Sequence, residues 1–189
     1  MVNFALSLVT LAIATASSVA AVPAGGSNAA AATTSETTFS FSQWVEDIIA
    51  NPDTAMTVDE AIAAAEAAAV VKRAAGLLAR DDAVNCEQPG WPRANGRDAA
   101  WCVDYLARLG QQGTACVIGQ NQYSVEMCRH GNARIAGSKP APAQESVNCN
   151  DVARTAGLIF DTCWRADDTI MGSRICITNN RMQINLLGI

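Results

Sequence analysis

The chain has 189 residues, half of them hydrophobic and 16% charged, with seven cysteines and a formal net charge of −5. That length fits one domain plus an appendage, and the charge is lopsided: residues 1–73 hold two bases against seven acids, whereas 74–189 hold eleven of each. A neutral C-terminal part gives no electrostatic reason to bind nucleic acid and no basic face for a membrane surface, so neither is expected as a partner.

Residues 1–20 read as a signal peptide. An apolar core runs from Phe4 to about Ala14, and Ser18-Val19-Ala20 places small residues where signal peptidase reads them. The run is shorter than the roughly 20 residues that span a bilayer. No second apolar stretch or lipidation motif follows, so a secreted, extracellular product without a stable membrane anchor is expected.

Residues 21–73 read as a propeptide, low in complexity to about residue 40 and helical beyond. Ser42 is a candidate cap for a helix over 43–50, which Asn51-Pro52 ends. Thr57 and Glu60 have capping-box spacing and open an alanine-rich helix directed toward Leu78. With few large apolar residues, this leader reads as an exposed spacer. The alternative is that Trp44, Val45, Ile48 and Ile49 dock on the following domain as an intramolecular chaperone.

Lys72-Arg73 is the sole dibasic pair, and every cysteine lies after it. That position predicts cleavage by a kexin-like processing protease, with Arg80 as a second trimming point. Residues 74–189 would then be the mature cysteine-rich domain.

Within that domain, 98–109 reads as a helix ended by Gly110, with Trp101, Cys102, Tyr105, Leu106 and Leu109 on one face. Strands are expected over 115–118, 123–128 and 132–136, and Tyr123, Val125 and Met127 alternate with Ser124, Glu126 and Cys128. Residues 138–145 read as a loop. Asn150 caps a predicted helix over 151–164 that buries Val152, Ala156, Ile159, Phe160 and Cys163. Residues 170–178 and 182–187 form a predicted hairpin around Asn179-Asn180, with Ile175 and Ile177 matched to Met182, Ile184 and Leu186. The expected fold is α+β: a disulfide-stapled two-layer sandwich of two helices on a four- to five-stranded antiparallel sheet.

On a secretory route Cys86, Cys102, Cys116, Cys128, Cys149, Cys163 and Cys176 are disulfide candidates. No CxxC occurs and His130 is the single histidine, so neither a metal nor another cofactor is expected. Cys149 and Cys163 bracket one helix, about 21 Å apart at 1.5 Å per residue, too far to pair. Cys116 and Cys128 are placed to meet across a hairpin, while Cys102 and Cys163 staple their helices to neighbouring segments. Seven is odd; Cys176 is the candidate unpaired thiol, open to an intermolecular disulfide.

No catalytic set stands out. His130 in Cys128-Arg-His130-Gly is the sole imidazole available to a nucleophilic mechanism. Adjacent acids such as Asp167-Asp168 more often cap turns than face each other across a glycosidase cleft. Trp101 reads as core. Trp91 and Trp164 are the candidate binding surface for a sugar or partner.

Three stretches carry a resemblance: Cys128-Arg-His-Gly-Asn-Ala-Arg-Ile-Ala-Gly137, Ser146-Val-Asn-Cys149-Asn-Asp-Val-Ala153 and the closing segment 179–187. Over roughly 85–189 the chain resembles fungal small secreted cysteine-rich proteins. In outline it is similar to the smut-fungus killer toxins and their necrosis-inducing effector relatives. The resemblance implies an α/β sandwich and a non-enzymatic role, either toxicity to competing fungi through ion channels or manipulation of a plant host. The chain departs from the killer toxins in its fewer, odd-numbered cysteines and long leader, and no functional residue carries over. The expected function is a secreted effector-like virulence factor or toxin that binds an extracellular or host-cell protein or glycan. The rival is a small secreted hydrolase or glycan-binding domain that uses Asp104, Asp161, Asp167 or His130.

Overall fold

The computed structural model describes residues 38–75, 81 and 83–189, with 71–75 as helical backbone. Lys72 and Arg73 therefore appear as backbone near the end of a helix, and Arg80 and the predicted signal peptide lie outside the described residues. All described residues belong to one contact unit, Thr37–Ile189.

Helix α1 spans Phe41–Ala50. Ser40, rather than Ser42, is its N-cap, accepting from the Gln43 amide. Helix α2 spans Val58–Ala75. Its capping box forms as expected: the Glu60 carboxylate accepts from the Thr57 amide at 2.8 Å, and the Thr57 hydroxyl accepts from the Glu60 amide at 3.3 Å.

Helix α3 spans Gly96–Gln111 and α4 spans Cys149–Cys163. Both start two residues earlier than expected, because Asn95 and, in place of Asn150, Asn148 supply the capping oxygens. Gly110 does not end α3. It lies buried inside the helix, where a Cβ would come within 2.1 Å of the Asn150 amide nitrogen, so glycine is needed for the close approach to α4. The chain turns out of α3 at Gly113 (φ +82°), with Thr114 N–H donating to Leu109 O and Gly113 N–H to Gly110 O, the Schellman pattern.

The main sheet is antiparallel and four-stranded. With β1 (Ala94–Asn95) and β2 (Ala115–Ile118) before it, β3 is Ser124–His130 and β4 is Ala133–Ser138. Then come β5 (Glu145–Asn148), β6 (Thr169–Ile170), β7 (Gly172–Cys176) and β8 (Asn179–Gly188). The strand order in the main sheet is β3-β4-β8-β7; β1 pairs with β6, and β2 with β5. The disulfide-stapled α+β class is as expected; the difference lies in the strands, eight among the described residues and spread over one four-stranded and two two-stranded sheets, rather than four to five in one sheet.

Helices α3 and α4 pack against each other and against the main sheet, α3 over β3 and β4, α4 over β7 and β8. Helix α1 packs in turn on α3 and α4. Helix α1 is thus not part of an exposed spacer: Phe41, Trp44, Val45 and Ile48 are at most 2% exposed and share one core with Val103, Leu106, Ile159, Phe160, Ile184 and Leu186.

The register differs from expectation in three places. Residues 115–118 pair with 145–148 and not with 123–128. A bulge between Glu126 and Cys128 shifts the β3 register, and Cys128 turns inward. The β7–β8 turn falls at Ile177-Thr178, with Cys176 opposite Asn179. Ile175 then pairs with Gln183 on the outer face and is 48% exposed, while Met182, Ile184 and Leu186 are buried.

Candidate functional site

The disulfides set the frame. Cys86–Cys163 ties the segment before α3 to the end of α4, Cys102–Cys128 ties α3 to β3, and Cys116–Cys149 ties β2 to the start of α4. Cys102 and Cys163 staple their helices, and Cys149 and Cys163 do not pair, as expected. The Cys116–Cys128 pairing does not form, because β2 takes β5 as its partner. Cys176 is the free thiol; it is 3% exposed, with the Thr155 hydroxyl 3.8 Å from its sulfur.

The expected Trp platforms are only half-open. Trp91 is half-buried beside the Pro89-Gly90 turn. Trp164 is half-buried as well: its indole N–H donates to Asp168 and its ring packs edge-on against Phe41. Trp101, expected in the core, is 38% exposed. The buried stripe of α3 runs instead through Ala99, Ala100, Val103, Leu106, Ala107 and Gly110, because α3 is covered by the sheet on one side and by α1 and α2 on the other.

Trp101 is the middle ring of an exposed stack. Tyr105, one turn further along α3, lies 5.4 Å away and nearly parallel at 9°. His130 lies 4.1 Å away on its other side, at 15°. Two devices hold His130 there. The Cys102–Cys128 bond fixes β3 beside α3. The Asp98 carboxylate accepts from the Asn132 amide, seating the turn in which Gly131 has φ +51°. Sequence reading missed the stack, although Trp101 and Tyr105 have the four-residue spacing that brings helix side chains together.

A shallow cleft lies on each side of this aromatic ridge. One, of about 300 Å³, is lined by Thr57, Asp59, Arg97, Asp98, Trp101 and His130. The other, of about 330 Å³, is lined by Trp101, Tyr105, Glu126, Met127 and Arg129. Arg97 pairs with Asp59 and Arg129 with Glu126, so each rim carries a neutralised ion pair. The surface offers parallel aromatic edges flanked by polar groups, which suits partly apolar ligands with hydrogen-bonding rims.

The acids of the hydrolase alternative are engaged elsewhere. Asp104 accepts twice from Arg108 Nε at 3.0 Å. Asp161 receives the Phe41 and Ser42 amides and the Ser40 and Ser42 hydroxyls, an arrangement that satisfies the start of α1. Asp167 accepts from the Thr169 hydroxyl and amide; the hydroxyl contact chiefly, and the amide less, hold its carboxyl below the usual range. Among the described residues no group of three or more His, Cys, Asp or Glu is placed to hold a metal ion, and no helix is long and apolar enough to cross a membrane.

Neither a curated protein nor a solved structure matches the chain. Residues 81–187, which contain α3, α4 and the main sheet, match the family described as domain of unknown function DUF8794, and the chain belongs to that family.

Proposed function

We propose that the protein is a secreted, non-enzymatic binding protein of the effector or toxin-like kind, made as a precursor and recognising its target through the Trp101–Tyr105–His130 face. The observation that carries this reading is the exposed aromatic stack, fixed by Cys102–Cys128 and Asp98 and flanked by a cleft on each side. Fixed aromatic surface binds with little loss of side-chain freedom, which is why Tyr and Trp dominate recognition hot spots. The target class is an extracellular or host-cell protein or glycan. Three disulfides and an N-terminal signal-like stretch support the secretory route.

The test uses the protein purified from culture medium. Binding to plant and fungal cell-wall fractions, and growth inhibition of competing fungi, are compared between wild type and Trp101→Ala/Tyr105→Ala. The double variant should lose at least about tenfold in binding, equivalent to about 1.4 kcal/mol. Unchanged binding at retained thermal stability would remove the stack from the site. For the hydrolase alternative the informative variants are Asp104→Asn and Asp167→Asn. Full activity in both counts against catalysis. Processing is read separately: the intact mass of the secreted protein should place a new N-terminus at Ala74 or Asp81.

A further inference from the structure

The groove between α3 and α4 is filled by α1 in the manner of a helix-in-groove complex. The four buried residues Phe41, Trp44, Val45 and Ile48 have the i, i+3, i+4, i+7 spacing by which an amphipathic helix anchors in a receptor. The receptor is cut to fit. A Cβ at Gly157 of α4 would lie 3.0 Å from the Ser42 Cα, so the backbones cross where α4 has no side chain. The Phe41 and Phe160 rings sit 4.2 Å apart.

Polar clamps hold the segment along its length. Asp161 takes the start of α1 with four hydrogen bonds. Arg154 pairs through two nitrogens with Glu46, which is the main reason its guanidinium is held even more firmly charged than usual. Arg108 donates to Pro52 O, while within the segment itself the Trp44 indole donates to Met56 O. The residues of the segment that make these contacts all lie at or before residue 56, on the N-terminal side of Lys72-Arg73.

We infer that cleavage at Lys72-Arg73 leaves the leader in place, and that the processed protein is a two-chain particle in which residues 38–56 remain bound as a noncovalent helical subunit. This rests on the processing reading for its biological setting. The physical reason is that the groove is apolar and already occupied by a complementary helix, whereas cutting α2 breaks none of the anchoring contacts. Departure of α1 would leave Phe160 and the small-residue crossing at Gly157 facing water, and contiguous apolar surface of that kind promotes association. Retention also preserves one wall of the recognition face, because Thr57 and Asp59 line the cleft beside His130.

A decisive experiment does not depend on the natural protease. The recognition sequence of a site-specific protease is inserted after Ala75 in the full chain, the secreted product is cut, and complete cutting is verified by denaturing mass measurement. Native gel filtration at about 1 µM, where a dissociation constant weaker than micromolar would show as separation, should give one peak holding both pieces, which part only in denaturant. Elution of the short piece by itself in native buffer would overturn the proposal. Trp44→Ala should raise the dissociation constant of the cut particle by about a hundredfold. If that variant does not fold uncut, Asp161→Asn serves instead and should raise it by about tenfold; an unchanged constant there refutes the assigned clamp. Failure of natural processing shows up only as an uncut native mass, which is a different readout.

Discussion

Helices α1 and α2 come from the same cysteine-free N-terminal stretch yet are made by different forces. Helix α1, ten residues long, drives four large side chains to complete burial and is tied at both ends by bonds to α4 and α3. Helix α2, eighteen residues long, buries Ala61, Ile62, Ala65 and Ala68 and leaves Val70 65% exposed. It stands off from α4 across a cleft of about 430 Å³ floored by Phe41, Phe160 and Trp164. One helix is specified by packing; the other rests on alanine propensity and a capping box, which are individually weak. Average composition hides this difference, because four well-spaced large residues among many alanines and serines are enough to join a core.

The sharpest test of the comparison is truncation of an anchor. Trp44→Ala should cost about 3–5 kcal/mol in denaturant unfolding, the range for deleting a buried aromatic. A loss below about 1 kcal/mol would make α1 no more integral than α2. Gly157→Leu should cost about 1–3 kcal/mol by overpacking the crossing. Hydrogen exchange should then rise in α1 amides while α2 amides past Ala61 change little.

On the other side of the comparison, Ala65→Gly in α2 should cost about 2 kcal/mol, the helix-propensity difference plus the loss of one buried methyl. A cost as large as that of Trp44→Ala would show α2 to be packed as tightly as α1. The smallest effect is that of acid on the α2 start. The Glu60 carboxyl is held below its usual value, first by the Thr57 amide and then by the Thr57 hydroxyl. The folded chain therefore binds that proton less readily than the unfolded one. The contribution is complete above about pH 4.3, the ordinary glutamate value, and fades as pH falls through the lower folded value. Protection of the first α2 amides should drop as the pH falls below about 4.3, and Thr57→Ala should abolish the drop.

Local features were readable because their physics is local. The Thr57–Glu60 box, the exclusion of a Cys149–Cys163 bond by helix length and the buried face of α4 depend on residues within a few turns. Cys176 was correctly singled out as the unpaired thiol, and its burial predicts that thiol reagents label it only after the β7–β8 turn opens. The exposed Trp101 was misread because apolar periodicity shows that a helix has a preferred side but not how many sides are covered. The Cys116–Cys128 pairing failed for a related reason: adjacency in sequence suggested a hairpin, and β2 joined the distant β5 instead.

By itself the sequence determined that every cysteine sits in an α+β block after a cysteine-free N-terminal stretch, the capping box that starts α2, and that one cysteine is left over. Those follow from composition, short-range hydrogen bonding and parity. Only the tertiary structure decided that α1 belongs to the core, that Trp101 stacks between Tyr105 and His130, and which cysteines meet. Each of these depends on contacts between residues far apart in the chain, such as Phe41 with Phe160 and Cys102 with Cys128. Close packing fixes such contacts only when all the elements are present together.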